Sequence, residues 1–240
     1  MNRNCSRRVF SLVVLLLAGP GGLCLSVAEK TDNWSQFRGP GARGVATHEN
    51  LPQKWSATEN VEWKRDLPGR GWSCPVVWGK RVFLTTVRNE GVSEKPKKGL
   101  YFGGNRPGFP ETIHHWKIYC LDLESGKILW EREVHKGRPQ SAIHVKNSYA
   151  SETPVTDGER VYASFGSRGL YSYDLDGNLI WTKDLGQMSK FLQFGEGTPL
   201  VLHDDRLIVK FDHEGDSFLA VLDTATGEER WRVARDESTS

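Results

Sequence analysis

From Cys74 onward the chain alternates short apolar runs with turn residues. Runs rich in Val, Ile, Leu, Tyr and Trp, such as Arg81-Val82-Phe83-Leu84 and Ile118-Tyr119-Cys120-Leu121, are broken by Trp78-Gly79, Ser125-Gly126, Asp157-Gly158, Asp176-Gly177 and Thr226-Gly227. None is long enough for a helix of three turns, so the pattern predicts short antiparallel strands joined by hairpins. Asp-Gly between two such runs marks a tight turn, because both of its central residues take positive φ.

The pattern repeats. Cys74-Pro75-Val76-Val77-Trp78-Gly79-Lys80-Arg81-Val82 returns as Thr153-Pro154-Val155-Thr156-Asp157-Gly158-Glu159-Arg160-Val161 and, more loosely, from Thr198-Pro199 to Ile208. The second half of each unit ends at Trp130, Trp181 and Trp231, which are 51 and 50 residues apart. Four strands in about fifty residues, repeated, describe the blade of a β-propeller, whereas the coils of a stacked solenoid are usually shorter. The expected fold is therefore all-β, with four-stranded antiparallel blades at about 70–132, 149–185 and 195–234. Asn60–Asp66 reads as a solitary outermost strand whose Trp63 matches the repeated tryptophans, and residues 29–59 look irregular. Three full blades and a partial one predict an incomplete arc of a seven- or eight-bladed ring, in which the last blade shows an apolar face. A closed four-bladed ring would need residues 29–66 to build an entire blade.

Residues 1–28 read as a secretory signal: Arg3, Arg7 and Arg8, an apolar run Val9–Ala18, and a small-residue ending Ser26-Val27-Ala28. Ser6-Arg7-Arg8-Val9-Phe10 is also similar to the twin-arginine export motif, so the route stays open between the two. The expected location is periplasmic or extracellular. The run is about half of what a membrane-spanning helix needs, which favours a cleaved leader over a permanent anchor, and a mean hydropathy of −0.51 with 26% charged residues excludes an integral membrane protein. The 32 basic residues nearly balance the 30 acidic ones, and without the leader arginines the excess vanishes, so nucleic-acid binding has no support. Beyond the leader only Cys74 and Cys120 remain, either as a disulfide or as two thiols.

The spacing Asp-x-x-x-Gly-x-x-x-Trp at Asp122/Gly126/Trp130 and Asp223/Gly227/Trp231, one residue shorter at Asp174/Gly177/Trp181, resembles the quinoprotein-type repeat. That repeat is named for pyrroloquinoline quinone (PQQ) dehydrogenases and is shared by non-enzymatic outer-membrane assembly factors. Trp34-Ser35-Gln36-Phe37-Arg38-Gly39-Pro40 is similar to the start of exported PQQ-like repeat proteins. The resemblance implies that each Trp docks between neighbouring blades while Asp and Gly shape the hairpin, which makes these nine residues structural. It also makes PQQ a possible cofactor. No catalytic constellation carries over: vicinal cysteines, a haem-attachment Cys-x-x-Cys-His and a segment matching the calcium and catalytic-Asp pattern are all missing from this sequence.

With strands A to D running outward from the channel, the A–B and C–D turns share one face and are minimal. The B–C and D–A connections share the other, and there two long insertions are expected side by side, Arg88–His115 and Glu133–Ala150. Long connections in a compact repeat are a usual place for binding, or for loops that cover the channel mouth. Six Lys/Arg against three Glu between 88 and 117 would draw an anionic glycan, a lipid headgroup or an acidic protein patch; a solvated loop has the same composition. The histidines lack metal-ligand spacing, so no metal site is expected. Candidates at this ligand face are Arg70, Trp72, His114, His115, Lys146, Asn147, Tyr149 and Glu152, with Ser73, Ser151, Glu196 and Thr198 beside the inner strands. The expected function is an exported binding or scaffold module whose partner is a protein, glycan or small molecule. The alternative is a PQQ- and Ca²⁺-dependent oxidoreductase acting on an alcohol or sugar.

Overall fold

The structure is a computed structural model that describes residues 33–46, 51–92, 110–189 and 194–237. Twelve strands make three antiparallel four-stranded sheets. The first holds β1 (Val76–Trp78), β2 (Arg81–Asn89), β3 (His114–Asp122) and β4 (Ile128–Gly137). The second holds β5 (Val155–Thr156), β6 (Arg160–Ser164), β7 (Leu170–Asp174) and β8 (Leu179–Lys183). The third holds β9 (Val201–His203), β10 (Arg206–Phe211), β11 (Phe218–Asp223) and β12 (Glu229–Ala234). Each sheet keeps its strands in chain order, and β1, β5 and β9 lie beside one another. These are three blades of a β-propeller with their first strands innermost. Among the described residues there is no α-helix, only 3-10 turns at Pro40–Ala42 and Gly166–Arg168.

Blade-to-blade packing follows from the pleat. One row of facing residues crosses the first blade as Val76, Phe83, Cys120 and Trp130, and the matching row of the second is Val155, Tyr162, Ser172 and Trp181. The first row packs on Val161, Ala163 and Tyr173 of the second blade, and the second on Leu207, Val209 and Leu222 of the third. In the third blade the same row is Val201, Ile208, Val221 and Trp231. There Trp231 is 46% exposed, against 8% for Trp130 and for Trp181.

The repeated motif works as a joint. The Asp122, Asp174 and Asp223 carboxylates accept hydrogen bonds from backbone N–H groups of their own hairpins: Ser125, Asp176 with Asn178, and Ala225 with Thr226. The glycines that follow turn with φ of +65, +81 and +72° and form the seat for the preceding tryptophan. Trp130 Nε1–H donates to Leu175 O at 2.9 Å and Trp181 Nε1–H to Thr224 O at 2.9 Å.

Trp63 occupies the same kind of seat, over Gly126 and donating to Leu123 O at 2.8 Å. The solitary strand expected at Asn60–Asp66 is not formed, however. Among the described residues its segment pairs with no strand, and it lies across the first blade, where Leu67 packs on Val82, Tyr119 and Leu121. Farther upstream, Trp34 bridges to Val77, and Ser35 O accepts Thr156 N–H, so this segment runs along the inner edges of β1 and β5.

Both insertions are shorter than expected. The β2–β3 ladder continues without a break from Arg81↔Asp122 to Asn89↔His114, so the first connection begins after Asn89 and ends before His114. Likewise β4 pairs with β3 out to Gly137, which moves the start of the second connection from Glu133 to Arg138. Charged and histidine residues that look like loop sequence are the alternate positions of long outer strands. Both connections leave the same end of the blades, because each antiparallel crossing reverses direction. Residues 93–109 of the first, and the leader at 1–28, lie outside the described residues. Cys74 and Cys120 are both free thiols. Burial pushes the Cys120 pKa up to about 12.

Candidate functional site

The connections after β2, β4, β6 and β8 converge at one end of the blades and bring together residues distant in sequence. Arg70 is held by its backbone, which exchanges hydrogen bonds with Val87 at 2.9 and 2.8 Å; its Nη2 donates to Val145 O at 3.0 Å. Ser148 Oγ donates to Arg70 O, and Ala150 O accepts the Trp72 and Ser73 N–H groups, so the second connection is stitched to the chain leading into β1. Asn147 extends this to the third blade by donating to Phe194 O at 2.7 Å.

Two depressions result. One, of about 60 Å³, is lined by Arg70, Asn89, His114, Asn147 and Tyr149 among others. Its neighbour, of about 20 Å³, is bounded by Trp116, Tyr149, Glu152, Phe165, Arg168 and Glu196. A further one of about 10 Å³ lies between Glu152 and Glu196 on the side of the third blade. Cavities of these sizes hold from one to a few waters. Glu152 is buried, and its carboxylate and that of Glu196 approach the same point: a Cβ on Gly166 would stand 3.2 and 1.3 Å from them. Glu196 accepts the Ser167 N–H at 2.8 Å and its hydroxyl at 2.5 Å. Gly166, at φ +52°, is thus required by both conformation and space. Arg168 lies over the Trp116 ring at 5.2 Å and donates to Arg138 O.

The titrations follow from this packing. Burial lowers the His114 pKa, opposed by the hydrogen bond its Nδ1–H donates to Thr112 O and helped by neighbouring His115. Burial, with the Glu196 charge, drives the Tyr149 phenol well above its ordinary range, while its O–H donates to Ser141 O at 2.6 Å.

Of the expected candidates, Arg70, His114, Asn147 and Tyr149 share one depression, and Tyr149, Glu152 and Glu196 the next. Three others do not join them. Trp72 is 55% exposed, Lys146 is exposed, and His115 faces the opposite side of β3, where it is clamped between Glu90 (Nε2, 2.7 Å) and Glu133 (Nδ1, 2.6 Å). That clamp holds the Glu90 carboxyl below its usual range. Sequence reasoning missed Trp116, Ser167 and Arg168. The paired glycines of Gly166-Ser167-Arg168-Gly169 between two strands were the available signal for the last two, since both take positive φ.

A family model described as outer membrane protein assembly factor BamB matches residues 108–176 and 169–240. Among solved structures the chain is similar to the quinohemoprotein alcohol dehydrogenase ADHIIG from Pseudomonas putida HK5, with 15% identity and a TM-score of 0.45 over 85% of this chain and 26% of that one. It is also similar to the quinohemoprotein alcohol dehydrogenase from Comamonas testosteroni (14% identity, TM-score 0.42, 70% of this chain and 21% of that one). For BamB from Moraxella catarrhalis the values are 16% identity, a TM-score of 0.37, and 75% and 56% coverage. The chain thus spans about a quarter of the dehydrogenases and just over half of that BamB. A comparison with curated proteins gives no match.

Proposed function

Because the chain belongs to the family of PQQ-like β-propeller repeats described as outer membrane protein assembly factor BamB, we propose that it is an exported binding or scaffold module. It recognises a partner across the end of the blades where the connections converge. The observation that carries this reading is that the polar residues gathered there are consumed in joining blades, around cavities of only about 10 to 60 Å³. A small-molecule site is usually several hundred Å³ deep, with a few convergent polar groups; a surface of this kind offers contact area instead.

The donor set also bears on the cofactor that the family resemblance suggests. PQQ is a rigid tricyclic quinone with three carboxylates and needs cations around a slot. The central depression instead presents Glu152 and Glu196, and the one cation among the described residues that line it, Arg168, is stacked on Trp116. These residues do not fit the quinone, and no chemical step is assigned to it here.

A photo-crosslinking residue placed at Gln140, which is exposed on the connection-bearing end, should give a discrete protein adduct in the exporting cell, and one at Glu159, on the opposite turns, should not. Adducts from Glu159 alone would overturn the proposal. So would a saturable absorbance change with PQQ and Ca²⁺ accompanied by dye reduction.

A further inference from the structure

Two loops are anchored at the end of the blades opposite the converging connections. The stretch 33–63 begins and finishes against the turns there: Asn33 Oδ1 accepts the Gly79 N–H at 2.8 Å, Ser35 O accepts the Thr156 N–H at 2.9 Å, and Trp63 sits over Gly126. Between these anchors Phe37 and Arg38 stand on one loop and Lys54 and Trp55 on another, each time an aromatic ring beside a cation. We propose that the two loops together form a contact for an anionic lipid surface, so that a bilayer and the partner of the binding module meet opposite ends of the blades. The contact goes beyond the binding-module reading, and neither depends on the other.

The first support is exposure. Trp55 is 70% exposed, more than any other tryptophan of the chain, and Phe37 and Val45 are 41% and 62% exposed. Neither ring lines any of the three depressions at the other end, so each projects toward whatever buries it. The headgroup layer of a bilayer takes such rings without a matching pocket, and it favours tryptophan because the indole is apolar while its N–H stays wet. The second support is charge. Arg38, Arg43 and Lys54 are exposed, and across 33–58 the single acid is Glu49, which lies outside the described residues. The neighbouring turns add little of either sign, since Lys80 pairs with Glu124 at 2.8 Å, Arg81 with Asp176 at 2.8 Å and Arg160 with Glu159 at 3.2 Å. Each lysine or arginine near an anionic bilayer strengthens attachment about fivefold. The third support is order. The Gly39 N–H donates to Gln36 O at 2.9 Å, which puts Phe37 and Arg38 at the tip of a turn, and the Gly44 N–H closes the loop on Arg38 O at 2.7 Å. Arg38 Nη2 donates to Arg43 O at 3.4 Å, and Arg38 keeps a φ of +62°, which a residue other than glycine holds only where its surroundings fix it. In the second loop the Asn60 side-chain amide donates to Lys54 O at 2.7 Å and the Ser56 N–H to Glu59 O at 3.1 Å. Rings and charges are therefore in place beforehand, which lowers the cost of docking. Finally, only five peptide steps separate Ala46 from Leu51, so the loops approach within about 19 Å of one another, and one flat surface can reach both.

The test is co-sedimentation of the protein, purified in its exported form, with vesicles of phosphatidylcholine and phosphatidylglycerol in equal parts and with vesicles of phosphatidylcholine alone. Binding should saturate on the mixed vesicles, fall as salt is raised and be about tenfold weaker on phosphatidylcholine. Arg38→Gln with Arg43→Gln should weaken it by about tenfold or more, and Phe37→Ser with Trp55→Ser, which keeps every charge, by about tenfold. Lys136→Gln with Lys183→Gln removes the same charge from the outer strands β4 and β8 and should sediment as the parent does. Acyl chains carrying bromine should quench the tryptophan fluorescence of the bound protein, and Trp55→Phe should abolish most of that quenching. Circular dichroism checks that each variant is folded. No sedimentation with the mixed vesicles, equal sedimentation with both kinds, unchanged binding by either folded loop variant, or quenching that persists in Trp55→Phe overturns the proposal. So does a photo-crosslinking residue at Val45 that gives a discrete protein adduct in the exporting cell and no lipid adduct, which assigns the loops to a protein. Failure here is separable from failure of the binding-module reading, because crosslinking from Gln140 tests the other end of the blades.

Discussion

Gly177 lies beneath the indole of Trp130 with a φ of +81°, and a Cβ there would stand 2.8 Å from the ring. Gly79 turns similarly, at +55°, but nothing lies within 4 Å of where its Cβ would be. The pair separates two costs that a hairpin glycine can carry. An alanine at Gly79 meets the left-handed penalty alone, about 1 kcal/mol, whereas at Gly177 it must also displace the ring, for a total of about 2–4 kcal/mol. Urea unfolding of Gly79→Ala and Gly177→Ala measures the difference, and equal losses would mean that the ring does not depend on the bare glycine. At this scale the sequence is legible where residues recur, as with the Asp, Gly and Trp of each repeat. It is poorly legible where they do not. His114 and His115 are neighbours with opposite surroundings, because strand parity turns one inward to Tyr149 and the other outward to Glu90 and Glu133.

The hairpins give a prediction about acid. In each, the carboxylate accepts hydrogen bonds from its own turn, and all three have lowered pKa values. At Asp122 the Ser125 hydroxyl and N–H are responsible. At Asp174 burial pulls the pKa upward, but the Asn178 backbone and side chain outweigh it. At Asp223 the Arg230 side chain, 2.6 Å away, and the Thr226 N–H bring the value to about 2. A folded pKa below the unfolded one means that the ionised form stabilises the fold. The contribution is complete above the ordinary carboxylate range, about pH 4, and is lost as the pH falls through each folded value, which for Asp223 is about 2. Urea midpoints should therefore decline as the pH falls below about 4, and Asp223→Asn should flatten the part of the decline that runs down to about pH 2; an unchanged slope would show that this turn is not tuned by its charge. The hairpins were legible because each lies within a few residues of sequence. The insertion ends were not, since the outer strands of the first blade extend past their apolar positions on the strength of a ladder formed with residues far away in the chain.

For the molecule as a whole, the seats decide how the blades are coupled. Trp130→Phe removes the N–H held by Leu175 O and should cost about 1–2 kcal/mol, whereas Trp231→Phe, half-exposed and without a seat among the described residues, should stay within about 0.5 kcal/mol. Calorimetry on the two variants checks this, and a comparable loss at Trp231 would mean that its ring is engaged in solution. The radial order of the strands could be read from the sequence because repetition fixes it, but the convergence of Arg70, Asn147 and Glu196 could not, because it depends on how far each blade turns from the last. The seat has one more consequence, for how such a chain can change length. Trp63 and Trp130 are 67 residues apart, while the later spacings are 51 and 50; the surplus falls in the first blade, whose 90–113 connection is the long one, and leaves every seat intact. An indole on one repeat and a hairpin on the next form a joint that is copied whole whenever a repeat is copied. Duplication or loss of one repeat, cut anywhere in register, therefore restores matching halves on either side, so that this architecture can grow or shrink by whole blades while its loops vary freely.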